Sequence, residues 1–303
     1  MYCIYTKPYK KPLDLIGNLK AQKLIFADEN KATEVLSNIN YFRFKIYLRP
    51  LLNIETKQFK VDSSFESAYE LYLFDENLKS ILFTVISQIE TQLRAKLDQC
   101  VTSFTNDPFW YINNRYFSNI KFLLPLKNEF FRSKDDFTKH YKSKYINVAC
   151  DDYKEMPPFW IISELSTFGN ILSILESIKK EPFRQPNNQN VLDDFAKKFG
   201  ACNLKELNSW LHLVRDVRNR VAHHSRVWNC NYREPSGIKK VLSENLQPSH
   251  PNTIYLLFVV LEKMYDNNIL DIEIKSQIKF ILAKYPAAKR FTVSMGIPLS
   301  WID

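Results

Sequence analysis

Residues 65–100 read FESAYELYLFDENLKSILFTVISQIETQLRAKLDQC, with apolar side chains at Phe74, Leu78, Leu82, Val85, Ile89, Leu93 and Leu97. The steps are three and four residues, the period of a single stripe on an α-helix, so the segment predicts one long amphipathic helix. Ser63 and Ser64 stand where an N-cap belongs, and Asn106-Asp107-Pro108 lies in the loop that follows.

The same period continues outward in both directions. Leu13–Leu24 and Asn30–Ile39 read as short helices on the N-terminal side. After Pro157-Pro158, residues Ile161, Leu165, Phe168, Leu172 and Leu175 form the stripe of one further helix. Gly169 falls inside that pattern, at a cost of about 1 kcal/mol relative to alanine, and predicts a tight crossing or a kink. Leu204, Leu207, Leu211, Val214 and Val217 or Val221 mark the buried face of another helix. Asn252–Tyr265 and Asp271–Tyr285 close the series, with Asp266-Asn267-Asn268 as their turn. The stretch NYFRFKIYLRP (40–50) is aromatic and basic with partial alternation, so helix and strand both remain open there. Convincing alternation occurs nowhere else. The expected fold is therefore mainly all-α: a small N-terminal helical, aromatic and basic subdomain over 1–62 and a helical bundle domain over 63–303.

Composition narrows the function. Apolar residues make up 45% of the 303, enough for a substantial core and unlike a disordered chain. The five glycines never cluster, so no loop can bring backbone close to a phosphate, and neither ATP nor NAD is expected; no cofactor is. Cys3, Cys100, Cys150, Cys202 and Cys230 stand singly, which fits a reducing cytoplasm better than a disulfide framework or a zinc knuckle. The N-terminal MYCIYTKPYKKP lacks the apolar core of a signal peptide, and IYLLFVVL (254–261) is far short of a bilayer span. A cytoplasmic protein with no membrane attachment is the expectation. With 42 Lys and Arg against 33 Asp and Glu, the net charge is +9, which favours a polyanionic partner, nucleic acid first.

RNRVAHHSRVWN (218–229) concentrates three arginines and two of the chain's five histidines. On an ideal helix Arg218 and His223 lie roughly 140° apart and share no face. Asn219 and His223 do share one, and Arg215 lies a turn further back. Asn219 can then fix the imidazole tautomer while Arg215 adds positive charge. Arg218 reaches His223 only if the helix ends near Val221, or if a second subunit supplies the partner. Metal-free RNA cleavage needs a group to take the 2′-hydroxyl proton, a cation for the phosphorane and a donor for the leaving 5′-oxygen. Histidine titrates near neutrality and suits both proton transfers. Arginine stays cationic and presents a planar fork to phosphate oxygens. Basic residues at a helix C-terminus also have an ordinary reading, as partners of the macrodipole worth about 0.3–1 kcal/mol each.

Other candidates follow from composition. Arg43, Lys45 and Arg49 are interleaved with Tyr41, Phe42, Phe44 and Tyr47, a mixture that suits RNA backbone contact with base stacking, or an ordinary packed surface. Arg226 joins them as an RNA-binding candidate. Trp160, Phe168 and Trp210 sit among apolar stripes and are expected in the core. His223, His224, Cys230 and His250 have no spacing that suits zinc, so no metal site is expected.

The spacing Arg218-Asn219-x-x-x-His223 resembles the R-x4-H signature of the HEPN superfamily, metal-independent ribonucleases built on a helical bundle. The fuller RNRVAHHSRVWN resembles the form found in the Abi-like family of bacterial abortive-infection proteins, the AbiD/AbiF group. INYFRFKIYLRPL (39–51) is similar to that family's tyrosine-rich box, FESAYELYLFDENLKSILF (65–83) to its LY-FD-L helix, MPPFWIISELSTFGNI (156–171) to its TFG helix and MGIPLSW (295–301) to its tail. The resemblance implies a HEPN-like bundle in which Arg218 and His223 form the catalytic pair, Asn219 holds the polar position beside the arginine and His224 is a supporting neighbour. Glu90 and Arg94 match an E-x-x-x-R feature of these proteins. They are either a plain helix pair worth about 0.2–0.5 kcal/mol or a carboxylate that orients Arg218 or His223. The implied activity is phage defence by an endoribonuclease that leaves cyclic phosphate ends. The chain holds one R-x4-H, so a homodimer is expected to assemble the site from two copies. The alternative is a non-catalytic protein that holds a structured small non-coding RNA, and a third reading is a sensor that binds phage proteins.

Overall fold

Asn40 decides the segment that the sequence leaves open. Its side-chain oxygen accepts the Phe42 N–H at 2.8 Å, capping a helix rather than starting a strand. Residues Phe44, Tyr47 and Leu48 then face inward at helical spacing. The computed structural model describes residues 6, 8–146, 154–267 and 272–302. Cys3, Cys150, Asn268 and Asp271 of the sequence reading lie outside them. The described residues are built from helices, with isolated bridges and no strand. They divide into two compact units, and the fold is all-α.

The first unit contains the described residues up to Leu78 together with Ile278–Thr292. Its helices are α1 (Pro12–Ala21), α2 (Glu29–Asn38), α3 (Tyr41–Leu48) and the beginning of α4 (Phe65–Thr105). Asp28 caps α2 by accepting the Lys31 N–H at 3.0 Å, and Ser64 caps α4 by accepting that of Ser67 at 3.1 Å. Ile16, Leu19, Val35, Leu36, Phe44, Leu48, Phe59 and Phe65 bury one another in a single core. In the same unit the Tyr47 hydroxyl donates to the Asp75 carboxylate at 2.7 Å, both groups being buried. Burial, then the neighbouring Asp75 charge, pushes the phenol far above its ordinary range and keeps it a donor. The aromatic box at 39–51 and the Phe74-Asp75 box are thus joined by one hydrogen bond.

The second unit contains the described residues of 79–277 and those from 293. It holds the rest of α4, then α5 (Leu123–Arg132), α6 (Asp136–Tyr145), α7 (Phe159–Leu165), α8 (Phe168–Ser177), α9 (Val191–Lys197), α10 (Leu204–Ala222) and α11 (Tyr255–Asp266). The first turn of α12 (Ile274–Lys284) also belongs to it. The α4 stripe is buried from Phe74 to Leu97, and the helix runs on past Cys100 because Val101 continues that stripe. No described helix is long and apolar enough to cross a membrane.

Two sequence expectations need correction. The single helix drawn through 161–175 is two, because Ser166 is extended (ψ 135°) and Thr167 caps α8 by accepting the Asn170 N–H at 3.2 Å. Gly169 therefore sits in the first turn of a new helix. A Cβ there would touch only Thr167 Oγ1, at 3.7 Å, so no tight crossing requires the glycine. Trp160 is not core: it is 48% exposed, because α7 turns Phe159, Ile162 and Ser163 inward instead. Phe168 and Trp210 are buried.

The start of α10 is fastened on several sides. Asn203 accepts the Glu206 N–H at 3.0 Å, and Glu206 reaches back to the Cys202 N–H, a variant of the capping box. Asp193 of α9 accepts the Leu204 N–H at 2.9 Å. Gly237, with φ +78°, lies against Glu206 so closely that any Cβ would overlap the carboxylate. Along the helix Leu204, Leu207, Trp210, Leu211, Leu213, Val214, Val217 and Val221 are buried. This fixes which way the polar residues of the last turns point.

Candidate functional site at the end of α10

Helix α10 stops just beyond Val221, with His223 as its C-cap residue. The His223 N–H donates to Asn219 O at 3.0 Å, that of His224 to Val221 O at 3.0 Å and that of Ser225 to Arg220 O at 2.8 Å. The last two bonds form a Schellman motif, and His224 takes the left-handed position usually held by glycine, with φ +52°. Histidine enters that region more readily than most residues, and its use here throws both imidazoles outward. His223 and His224 are exposed.

The chain after the turn is pinned down. Val227 and Trp228 are buried, and the Tyr232 hydroxyl donates to Val227 O at 2.6 Å. Arg220 lies over the Tyr232 ring at 5.4 Å, and half-buried Arg226 offers its carbonyl to Cys230 Sγ at 3.3 Å. A fixed turn therefore carries the histidines.

Arg218 is held from the side. Its Nε donates to Glu90 Oε1 at 3.0 Å, linking α10 to α4, and the Glu90 residue is only 8% exposed. Arg94 lies 3.7 Å from the other Glu90 oxygen and donates through Nη2 to Ser166 O at 2.9 Å. That carbonyl belongs to the break between α7 and α8. The TFG segment, the E-x-x-x-R pair and the R-x4-H arginine thus form a single chain of contacts. A carboxylate on Nε leaves the terminal fork of Arg218 for an anion, and that side chain remains 36% exposed. Two guanidinium groups share one carboxylate, so the spot carries excess positive charge even with neutral histidines.

The remaining candidates divide. Asn219 is exposed and reaches His223 through its backbone carbonyl, with no side-chain bond between the two among the described residues. Arg215 lies 3.4 Å from its neighbour Asp216. Lys45 and Arg49, on α3 and the turn after it, share a face with Phe42, whereas Arg43 lies beside Tyr72 on another face. Among the described residues no group of three His, Cys, Asp or Glu side chains could hold a metal ion. Sequence reasoning missed Ser166 and Asp75. Ser166 contributes a carbonyl, which no side-chain pattern reveals; Asp75, a carboxylate inside an otherwise apolar stripe, was the visible signal.

Comparison with curated proteins and with solved structures yields no match. The sequence does match the Abi-like protein family over residues 34–229, a span that includes the aromatic box, both helical boxes and the R-x4-H turn and stops short of the 295–301 tail. A match over well over half of the chain, containing every residue of the Arg218–Glu90–Arg94–Ser166 chain, shows that this protein belongs to the Abi-like family.

Proposed function

We propose that this protein is an abortive-infection ribonuclease of the HEPN type, cutting RNA without metal at a site built from two copies of the α10 turn. The observation that carries the reading is the grip of Glu90 on the Nε of Arg218, in the helix whose fixed end presents an exposed His223 five residues on. Family membership supports the abortive-infection role.

In this mechanism one His223 takes the 2′-hydroxyl proton as the 2′-oxygen attacks phosphorus. The Arg218 fork meets the charge that builds on the phosphorane oxygens. The P–O5′ bond breaks, and the second subunit's imidazolium returns a proton to the leaving 5′-oxygen. Products are a 2′,3′-cyclic phosphate and a 5′-hydroxyl.

The test is incubation of purified protein with total RNA in EDTA. Cyclic phosphate ends are expected from the parent, with a loss of at least about 100-fold in His223→Ala, the scale of general acid–base catalysis. Undiminished cleavage by that variant rejects the assignment. Intact RNA bound in a salt-sensitive way supports instead a protein that holds a structured small non-coding RNA.

A further inference from the structure

The first unit contains an open groove of about 550 Å³ that the α10 site does not use. Its volume is typical of sites for small ligands, roughly 300–1,000 Å³. One wall is the outer face of α3, where Phe42, Lys45 and Arg49 recur at helical spacing. The opposite wall is the loop 52–59, which supplies Ile54 and Lys57.

We propose that this groove binds a segment of single-stranded RNA, with phosphates on Lys45, Arg49 and Lys57 and a base stacked on Phe42. Three cations and no carboxylate line it, so its charge selects an anion. None of the three charged ends makes a hydrogen bond or an ion pair among the described residues. Phe42 is 84% exposed and Ile54 is 72% exposed, apolar surface that a flat partner would remove from water. Alternating cation and aromatic contacts along a groove suit the backbone and the unstacked bases of a single strand. A duplex keeps its bases stacked inside and offers none to Phe42.

The groove is built before any ligand arrives. Asn40 caps α3, and the loop is closed by the Leu52–Phe59 bridge and by the Asn53 N–H donating to Gln58 O at 2.8 Å. Asn53 Oδ1 accepts the N–H groups of Glu55 and Thr56 at 3.0 and 3.2 Å, and Lys57 is held at φ +54°.

This inference rests on RNA being the ligand of the chain, and its test separates it from the cleavage reading. Binding of a labelled single-stranded RNA decamer to the His223→Ala protein is measured by fluorescence anisotropy in EDTA at several salt concentrations. Lys45→Ala/Arg49→Ala/Lys57→Ala should bind at least about tenfold more weakly, with a salt slope lower by about 2, from roughly 0.7 per phosphate contact. Phe42→Ala should lose about fivefold or more, the lower end of base–aromatic stacking. All four residues are exposed, and a thermal melt checks that both variants stay folded. Binding by the triple variant equal to that of its parent overturns the proposal, as does equal affinity for the duplex, for a mononucleotide or for an acidic peptide. Groove-dependent binding by a protein whose unmutated form cuts nothing leaves the groove standing and removes the nuclease. Cleavage with groove-independent binding does the reverse.

Discussion

Glu90 offsets two guanidinium groups with one charge, and it is the most buried member of that trio. Glu90→Gln preserves its shape but leaves Arg218 and Arg94 facing each other without a counter-charge. Hydrogen bonds to charged groups contribute roughly 1.5–3 kcal/mol, and part of Arg218 is solvated, so urea unfolding should show a loss of about 1–3 kcal/mol. Cleavage should fall further than stability does, because the guanidinium loses the contact that aims its fork. Arg218→Lys separates these effects: lysine keeps the charge but has no Nε and no fork, so the fold should survive while activity drops at least about tenfold. Wild-type turnover in the lysine variant would show that only the charge matters. In the first unit, Tyr47→Phe removes the hydroxyl that donates to buried Asp75 and should cost about 1–3 kcal/mol. An unchanged urea midpoint would mean that other partners of Asp75 suffice. At this scale the sequence offered the candidate residues but not how they meet. Arg218 and Glu90 are 128 positions apart, and no spacing rule connects them.

Helices were the legible level, because a stripe at three- and four-residue steps is a local consequence of burying one face. The α4 stripe and the buried face of α10 follow from that alone. What periodicity cannot register is an interruption that preserves it. Phe168, Leu172 and Leu175 continue in phase with Ile161 and Leu165, yet the cap at Thr167 breaks the helix between them. That break frees the Ser166 carbonyl for Arg94, so the illegible detail is the one the site uses. The start of α10 depends on Asp193 in the same non-local way. Burial alone would raise the Asp193 carboxyl, but the hydrogen bond from Lys180, the Leu204 N–H and the charges of Lys180 and Lys197 outweigh it and hold the group below its ordinary value. A depressed carboxyl contributes stability that is complete above its unfolded pKa and is lost as pH falls through its folded one. Asp193→Asn should therefore be less stable than the parent at pH 7, and the gap should close below about pH 4, the ordinary range of an aspartate. Urea midpoints measured at both pH values check this; a gap that stays constant would assign the effect to packing. Asn203→Ala should cost about 1 kcal/mol at either pH, because an amide cap does not titrate.

At the scale of the whole molecule, one chain presents one Arg218 and one exposed His223, whereas the proposed cleavage needs a proton acceptor and a proton donor at the same phosphate. The end of α10 and the residue after it carry half-buried Arg215 and exposed Asn219 and His223 at helical spacing, a polar face against which a two-fold mate in the proposed dimer would align its own copy. A site of this kind responds to mixing in a way that a monomeric enzyme does not. If wild-type and His223→Ala chains exchange freely at equal amounts, about a quarter of the dimers keep both imidazoles and about half keep one. Activity should then fall to about a quarter of that of an all-wild-type sample at the same total chain concentration. Chains that act alone, or dimers in which each subunit works independently, retain about half. Coexpression from one vector, with differently tagged chains to confirm exchange, makes the two outcomes measurable. A mixed species that sediments as a dimer yet keeps half the activity would show that the subunits associate without sharing the scissile phosphate.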